Sequence, residues 1–174
     1  NGEAVLKAIL PILQSSPYLP YDPETKKGLL RHLLIKSGVS SGESLVLFVT
    51  SRRAPRAFKD LAEAIMKACP SVQGVVENIN TRHDNVIIGS TFHTLAGTPH
   101  LHEVVLGTTF KISPSSFFQV NTLQAEKLYS YAIKQAGLSD DDTVIDAYCG
   151  VGALSLLAAP HAKDVIGIEC VSDA

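Results

Sequence analysis

An apolar run that ends at an acid and two glycines marks the part of this sequence that could do chemistry. Residues 143–152 read TVIDAYCGVG, with Asp146 at the end of the run and Gly150 and Gly152 before a helical segment. Glycines there let the backbone approach a ligand closely, and the first turn of a helix presents free N–H groups. Glu169 ends the next apolar run, 23 residues after Asp146, where a carboxylate can accept hydrogen bonds from ribose hydroxyls. The spacing predicts a site for a nucleoside-bearing cofactor.

The same residues disfavour several common nucleotide sites. The dinucleotide fingerprint needs a glycine three positions after Gly152, where Ser155 stands. A Walker phosphate loop needs Gly-Lys-Ser/Thr, and this triplet does not follow the glycines. An acid at the strand end repels a pyrophosphate, whereas it suits the positively charged methionine part of S-adenosylmethionine. We therefore expect S-adenosylmethionine as the cofactor, with a purely structural glycine turn as the alternative.

Residues 1–113 are predicted to form a central α+β domain. The expected elements are a helix at 3–14 that Pro11 should end or kink, strands at 29–36 and 44–50, a helix at 55–68, and strands at 72–80, 85–97 and 102–113. The first two strands are expected to pair as in a hairpin.

Residues 114–174 are predicted to form the amino-terminal portion of an α/β domain. A helix at 121–137 is expected to start at the cap Asn121 and to stop at Gly137. Its apolar stripe is Leu123, Leu128, Tyr131 and Ile133. The strand, glycine turn, helix and second strand that follow are typical of a parallel, Rossmann-like sheet. Such sheets normally have five or more strands, so we expect this domain to be truncated.

The composition favours a folded protein of a reducing compartment. The chain has 174 residues, of which 45% are hydrophobic and 18% charged, so it can bury a core. No apolar stretch approaches the roughly 20 residues of a membrane span. The three cysteines lie far apart without a Cys-x-x-Cys spacing, which favours the cytoplasm. The first residue is Asn1 rather than Met, so a targeting segment would be invisible and an organelle stays open.

The net charge of −2 conceals a polarised distribution. Residues 26–59 carry eight basic side chains against one acid, whereas the stretch from residue 122 to the end carries three against eight. A local positive cluster is suited to contact with a phosphate backbone, and a solvated face is the alternative. The basic residues are Lys26, Lys27, Arg31, Lys36, Arg52, Arg53, Arg56 and Lys59.

Two motifs of this sequence resemble the uracil-5 RNA methyltransferases, which make 5-methyluridine in ribosomal or transfer RNA. They are ISPSSFFQVN at 112–121 and DAYCGVG at 146–152, and they occur in the family's order and spacing. The run GLLRHLLIK at 28–36 also resembles the family's central domain, so the resemblance spans roughly residues 26–174. It implies a central α+β domain followed by the start of the family's methyltransferase domain, without the family's RNA-binding barrel.

The resemblance also implies cofactor-binding residues. Gln119 resembles the family's glutamine that contacts the cofactor, Tyr148 matches an aromatic position beside it, and Glu169 matches the acid that holds the ribose. These roles suit an amide, which can recognise an amino-acid or adenine edge, and a carboxylate, which can accept two hydroxyls. Asp146 and Gly150 are assigned from spacing as residues that line the site.

We expect neither a catalytic residue nor a metal ligand in this chain. The family's chemistry needs a cysteine thiolate that adds to uracil C6 and a carboxylate base that removes the C5 proton, and in the family both lie beyond the position of Ala174. Cys149 belongs to the turn motif and is rejected as the nucleophile. The histidines His93, His100 and His102 lack a fourth ligand at a sensible spacing, and clustered cysteines for an iron–sulfur centre are absent from the sequence.

The preferred hypothesis is a fragment of an S-adenosylmethionine-dependent RNA methyltransferase, inactive alone, whose parent methylates C5 of a uridine in ribosomal or transfer RNA. RNA is the expected partner, through the basic cluster at 26–59, and the sequence implies no membrane and no protein partner. One alternative is an S-adenosylmethionine-dependent methyltransferase of another substrate. The other is a non-catalytic RNA-binding α+β module.

Overall fold

The computed structural model describes residues 2–171, which divide into two compact units between Leu101 and His102. The hairpin that begins at Leu101 is grouped almost entirely with the second unit, so the units divide before the expected domain boundary at 113/114. That domain boundary stays a prediction. Among the described residues, no helix is long and apolar enough to cross a membrane.

The first unit is a four-stranded sheet, in the order β1-β2-β3-β4, with two helices packed against it. Its elements are α1 (Gly2–Gln14), β1 (Leu30–Ser37), β2 (Ser44–Thr50), α2 (Phe58–Ala68), β3 (Val72–Ile79) and β4 (Thr91–Gly97). The outer pairs are antiparallel, whereas β2 and β3 are parallel and are joined through α2. The predicted α+β class is confirmed, as is the antiparallel pairing of the first two strands.

Strand register creates one well-defined end of this sheet. Leu30 lies opposite Thr50, Thr50 lies opposite Ile79, and Ile79 lies opposite Thr91. Each of these residues is the first or last of its strand. The segments that connect to these four strand ends therefore lie at the same edge of the sheet. We call this edge the Thr50 end; the segments there are 21–31, 51–57 and 77–90.

The core of the first unit lies between the helices and the sheet. Phe58 of α2 packs edge-on against Phe48 of β2, with ring centroids 5.4 Å apart, and against Tyr18, with centroids 4.7 Å apart. Leu61 and Ile65 of α2 are buried beside them, so the apolar side of this helix faces the core. Burying side chains of this size contributes about 1.5–3 kcal/mol each.

Pro11 does not end the first helix, so that part of the expectation is wrong, whereas a kink at Pro11 stays a prediction. The helix runs through Pro11 to Gln14, although the proline ring removes one intrahelical hydrogen bond. Val5 and Ile9 are buried in the core, and Ile12 and Leu13 pack against it. Burial on both sides of Pro11 favours continuation of the helix over a break.

The predicted strand at 85–97 is shorter in the structure, where β4 covers only Thr91–Gly97. The preceding carbonyls bond to side chains instead of a strand: Asn80 Nδ2 donates to Val86 O at 2.6 Å and to Ile87 O at 2.9 Å. Asn78 Nδ2 donates to Gly89 O at 2.8 Å. Two asparagine side chains therefore satisfy backbone groups that a β ladder would otherwise use.

The second unit begins with a hairpin where the sequence predicted one strand at 102–113. β5 (Leu101–Val105) and β6 (Thr108–Ile112) form a two-stranded sheet. Leu106 and Gly107 both have positive φ, 49° and 80°, as in the tight turn that suits a right-handed hairpin twist. The backbone N–H of Leu106 donates to Glu126 Oε1 at 3.0 Å, which helps a non-glycine residue hold this conformation.

The predicted strand, turn, helix and strand of the second unit are confirmed. They form β7 (Thr143–Ala147), α4 (Ala153–Ala158), a short 3-10 turn at Ala159–His161 and β8 (Asp164–Ile168). β7 and β8 are parallel, with Ile145 opposite Ile166. The unit therefore contains a βαβ element of the Rossmann-like class.

The helix before β7, α3 (Thr122–Ala136), has the predicted ends but a different buried face. Asn121 Oδ1 accepts from Gln124 N at 3.1 Å, and Gly137 has a φ of 59°. Thr122 donates through Oγ1 to Oε2 of the buried Glu103 at 3.2 Å, which turns that side inward. The buried face is Thr122, Ala125 and Tyr129, whereas Leu123, Leu128 and Tyr131 of the predicted stripe are exposed.

Candidate functional site

Four of the five predicted site residues lie at one edge of the βαβ element. Ala147, the last residue of β7, pairs with Ile168, the last residue of β8, and Cys149 N donates to Ile168 O at 3.1 Å. The carboxyl ends of parallel strands meet at the same edge of a sheet, which is where such sheets bind ligands. Asp146 is the penultimate residue of β7, Tyr148 and Gly150 come after that strand, and Glu169 comes directly after β8.

The connection from β7 to α4 depends on three residues with positive φ. Tyr148, Gly150 and Gly152 have φ values of 63°, 55° and 76°, and Gly152 N donates to Cys149 O at 2.9 Å to close the turn. Glycine adopts this conformation readily, whereas for a tyrosine it costs about 1–2 kcal/mol. The Tyr148 side chain is 88% exposed. A strained, exposed aromatic beside an open turn is a feature of ligand sites.

Glu169 ties the end of β8 to this turn. Its Oε2 accepts from Gly150 N at 3.0 Å, and its Oε1 accepts from Cys170 N at 2.8 Å and Val171 N at 2.9 Å. The N–H groups of Val171 and then Gly150 hold the pKa of the Glu169 carboxyl below its usual range, so the group is ionised at neutral pH. Since a carboxylate oxygen can accept two hydrogen bonds, Oε2 retains capacity for a ligand hydroxyl.

Asp146 bonds to the first turn of α4. Its Oδ2 accepts from Ser155 Oγ at 2.6 Å and from Ser155 N at 3.1 Å. The residue before the helix, Gly152, provides no side-chain cap. Asp146 therefore satisfies an orphan N–H of the helix from the strand, as a capping carboxylate does, and its Oδ1 is the oxygen left for the site.

Ser155 is a structural part of this edge that the sequence interpretation missed. It was considered only as the residue that replaces a fingerprint glycine. An available signal was its position at the third residue of α4, where an N–H needs an acceptor. Gly167 of β8 passes close by, since a Cβ there would lie 3.3 Å from Ser155 Oγ and 3.0 Å from Cys149 Sγ. Strand, helix and turn thus meet in close packing behind the site.

Gln119, the fifth predicted residue, is exposed on the segment between β6 and α3. The segment is folded by Ser113, whose Oγ accepts from Ser116 N at 3.1 Å, and by Phe118, whose ring lies 5.6 Å from that of Phe110. Within residues 2–171, no hydrogen bond or ion pair joins Gln119 to the strand-end residues. The structure therefore gathers four predicted residues and leaves Gln119 separate from their network. In the same range, no three His, Cys, Asp or Glu side chains are grouped as metal ligands would be.

Comparison with known proteins finds relatives over almost the whole chain. No protein-family model matches it. It is 39% identical over 172 residues to a Staphylococcus aureus protein named uncharacterized RNA methyltransferase SAS1819, covering 99% of this chain and 38% of the relative. It is 40% identical over 174 residues to a Streptococcus agalactiae protein named uncharacterized RNA methyltransferase SAG0633, again covering 99% and 38%. The chain thus spans less than two fifths of these relatives.

A solved structure shares the fold. The Pyrococcus abyssi tRNA (uracil-54, C5)-methyltransferase, determined in complex with S-adenosyl-L-homocysteine, matches with a TM-score of 0.70 at 22% identity. The match covers 97% of this chain and 39% of the Pyrococcus chain. At this identity the likeness establishes the fold, which includes both the α+β unit and the βαβ element.

Proposed function

We propose that this chain is part of an S-adenosylmethionine-dependent RNA methyltransferase and carries part of its cofactor site. The relatives near 40% identity carry the name RNA methyltransferase, and the fold is that of a solved tRNA methyltransferase. The observation that carries the proposal is the bond between Gly150 N and Glu169 Oε2. It places an ionised carboxylate beside a glycine turn at the carboxyl edge of a parallel strand pair.

The residues at this edge fit S-adenosylmethionine. A Cβ built on Gly150 meets nothing within 4 Å, so the space before the turn is open to a ligand. Glu169 Oε2 has acceptor capacity for a ribose hydroxyl, Tyr148 offers an exposed ring, and Asp146 adds negative charge that favours a sulfonium. The amide of Gln119 is proposed to contact the cofactor as well. When bound, the cofactor supplies an electrophilic methyl group.

The finer proposal is methyl transfer to C5 of a uridine in ribosomal or transfer RNA. Its support is the resemblance of ISPSSFFQVN and DAYCGVG to the motifs of the uracil-5 methyltransferases. Their chemistry needs a cysteine nucleophile and a carboxylate base, and we assign neither role to a residue of this chain. We therefore propose that this chain alone binds rather than transfers. RNA is the proposed partner, contacted through basic residues of the first unit.

Titration calorimetry with S-adenosylmethionine and S-adenosylhomocysteine tests the cofactor proposal. We expect Glu169→Gln to weaken the binding of both ligands at least tenfold. The neutral amide is a poorer hydrogen-bond acceptor for a ribose hydroxyl, and it disturbs the bond to Gly150. Asp141→Asn is the matched control, since it removes an exposed carboxylate of the same unit. Equal affinity of the Glu169 and Asp141 variants, or no binding by the unaltered protein, would contradict the proposal.

Nucleoside mass spectrometry tests the reaction on the complete gene product. After incubation with S-adenosylmethionine and unmodified RNA, we expect 5-methyluridine. A methyl group on another nucleotide would overturn the uridine C5 assignment and keep the methyltransferase. Cofactor binding without RNA methylation would favour a different substrate, and RNA binding without cofactor binding would favour the non-catalytic module.

A further inference from the structure

We propose that the Thr50 end of the sheet is a preorganised surface for the phosphate backbone of RNA, an inference that rests on the proposed function. The surface is made by the basic side chains of three segments, 21–31, 51–57 and 77–90, of which Arg31 is half-buried and the others are exposed. Buried polar side chains at the end of β3 hold two of these segments in place.

The charge of the first unit is concentrated at this end. The three segments carry seven basic and four acidic side chains, whereas the rest of residues 1–101 carries four of each and is balanced. The net positive charge of the unit therefore lies at the Thr50 end. A polyanion gains most by binding there, since each neutralised phosphate releases counterions.

Glu77 holds the segment 51–57. Its side chain is fully buried, and its Oε1 accepts from Thr50 Oγ1 at 3.1 Å and from Ala54 N at 2.6 Å. Its Oε2 forms an ion pair with Arg53, whose side chain is about half exposed. A buried carboxylate is costly unless it is bonded in this way. The bonds to Ala54 and Arg53 fix the surface segment 51–57, and the bond to Thr50 anchors the carboxylate to β2.

Asn78 and Asn80 hold the segment 77–90. Asn78 is fully buried and its Oδ1 accepts from Gly89 N at 2.7 Å. Asn80, 1% exposed, accepts from Arg82 N at 2.9 Å in addition to donating to Val86 O and Ile87 O. The exposed Arg82, with His83 beside it, is thus carried on a loop that two buried amides fix.

Arg31 joins this loop to the first segment. Its Nη1 donates to Asn80 O at 2.8 Å and to Arg82 O at 2.5 Å, and its guanidinium lies 4.9 Å from the centroid of the Tyr21 ring. Arg52 Nη1 donates to Gly28 O at 3.2 Å. All three segments are therefore tied together by hydrogen bonds before any ligand binds.

The buried polar residues fix the charged segments before any ligand binds, and this favours a ligand-binding role for the surface over a purely structural one. Three polar residues at the end of β3 are almost completely buried, and they are Glu77, Asn78 and Asn80. Replacing buried polar groups by apolar ones is often neutral for stability, whereas fixed loops lower the entropy lost on binding. Tyr21 faces Arg31, so the surface offers phosphate contacts rather than base stacking, and we expect it to be insensitive to RNA sequence.

The surface differs from the basic cluster read from the sequence. Lys36 lies towards the opposite end of β1, where it pairs with Leu45, and Lys59 lies in α2. Arg82 belongs to the surface although it lies outside residues 26–59. Sequence order alone therefore grouped residues that the sheet separates.

The test compares two double variants that remove equal charge. Arg52→Gln with Arg56→Gln removes two exposed charges from the Thr50 end, and Lys7→Gln with Lys67→Gln removes two from the exposed sides of α1 and α2. Binding of fluorescein-labelled bulk transfer RNA is followed by anisotropy between about 50 and 200 mM salt. We expect the Thr50-end variant to bind about five- to tenfold more weakly and its salt slope to fall by about 1.5–2, while the control changes less than twofold.

The outcomes separate this inference from the proposed function. Urea unfolding followed by circular dichroism shows whether both variants are folded, and calorimetry with S-adenosylhomocysteine shows whether their cofactor site is intact. An equal loss of RNA affinity in both double variants would contradict the proposed surface and leave the proposed function unaffected. The same holds if neither variant loses affinity while the complete gene product still methylates RNA. A gene product that methylates no RNA, with unaltered protein that binds no RNA, would overturn both.

Discussion

Ser155 donates two hydrogen bonds to a single oxygen of Asp146, from its hydroxyl at 2.6 Å and from its backbone N–H at 3.1 Å. The acid at the end of β7 therefore helps to build the site as well as to line it. It joins the strand to the first turn of α4 across the glycine turn, so the position of that turn depends on both residues.

A double-mutant cycle measures this coupling. We expect Ser155→Ala and Asp146→Ala each to lower the free energy of unfolding by about 1–2 kcal/mol, because each removes the capping interaction of α4. The double variant should lose about 1 kcal/mol less than the sum, since the two changes remove the same interaction. Urea unfolding followed by circular dichroism provides the values. Additive losses would show that the two residues act independently.

Protonation of Glu169 should loosen the turn at low pH. The N–H groups of Val171 and Gly150 lower the pKa of this carboxyl, so its hydrogen bonds persist at neutral pH and are lost as the pH falls through that lowered pKa. We expect the amide resonances of Gly150 and Val171 to shift together, with a midpoint below about 4.3, the ordinary value for a glutamate. A midpoint at or above that value, or separate midpoints, would contradict the bonding at Glu169.

We expect the tyrosine at position 148 to lower the stability of the protein and to strengthen cofactor binding. Tyr148→Gly removes the strain of a side chain at a φ of 63°, and we expect it to raise the free energy of unfolding by up to about 1 kcal/mol. The same change should weaken the binding of S-adenosylmethionine, because the exposed ring is lost. Tyr131→Gly, at an exposed position inside α3, is the control and should lower stability by about 1 kcal/mol. A lower free energy of unfolding in both the Tyr148 and the Tyr131 variant would argue against strain at Tyr148.

Asn80 should determine the order of the loop beyond β3. We expect Asn80→Ala to lower the free energy of unfolding by about 1–2 kcal/mol, because three hydrogen bonds are lost and buried groups lose their partners. Hydrogen exchange should rise at Arg82, whose N–H bonds to Asn80 Oδ1. Asn85→Ala, at an exposed position of the same loop, should change stability by less than about 0.5 kcal/mol. Unchanged exchange at Arg82 in the Asn80 variant would show that the loop is held by other contacts.

The bounds of β2 and α3 were predictable to within a residue, whereas α2 begins three residues later than predicted. The apolar run of β2 and the caps of α3 at Asn121 and Gly137 are local signals, because each depends on neighbours in sequence. The carboxyl edge with Asp146 and Glu169 was also predictable, since the parallel connection of two strands through a helix fixes where both ends lie.

Features that depend on contacts distant in sequence were not predictable in the same way. The first part of the strand expected at 85–97 is replaced by a loop, because Asn78 and Asn80 bond to its backbone. The face of α3 follows from Glu103, which accepts from Thr122, and periodicity alone selected the wrong side. The hairpin turn at 106–107 was missed because leucine is uncommon at a positive φ.

Because β2 and β3 are parallel, both strands end at the same edge of the first unit, where the connecting segments can vary in sequence. The ends of both strands, with the starts of β1 and β4, present their connecting segments at one edge, while the side chains of Phe48 and Phe58 pack together in the core. Surface segments accept substitutions and insertions far more easily than a close-packed interior does. Homologues could therefore diversify the molecules they recognise by exchanging these segments, and the scaffold beneath would be inherited unchanged.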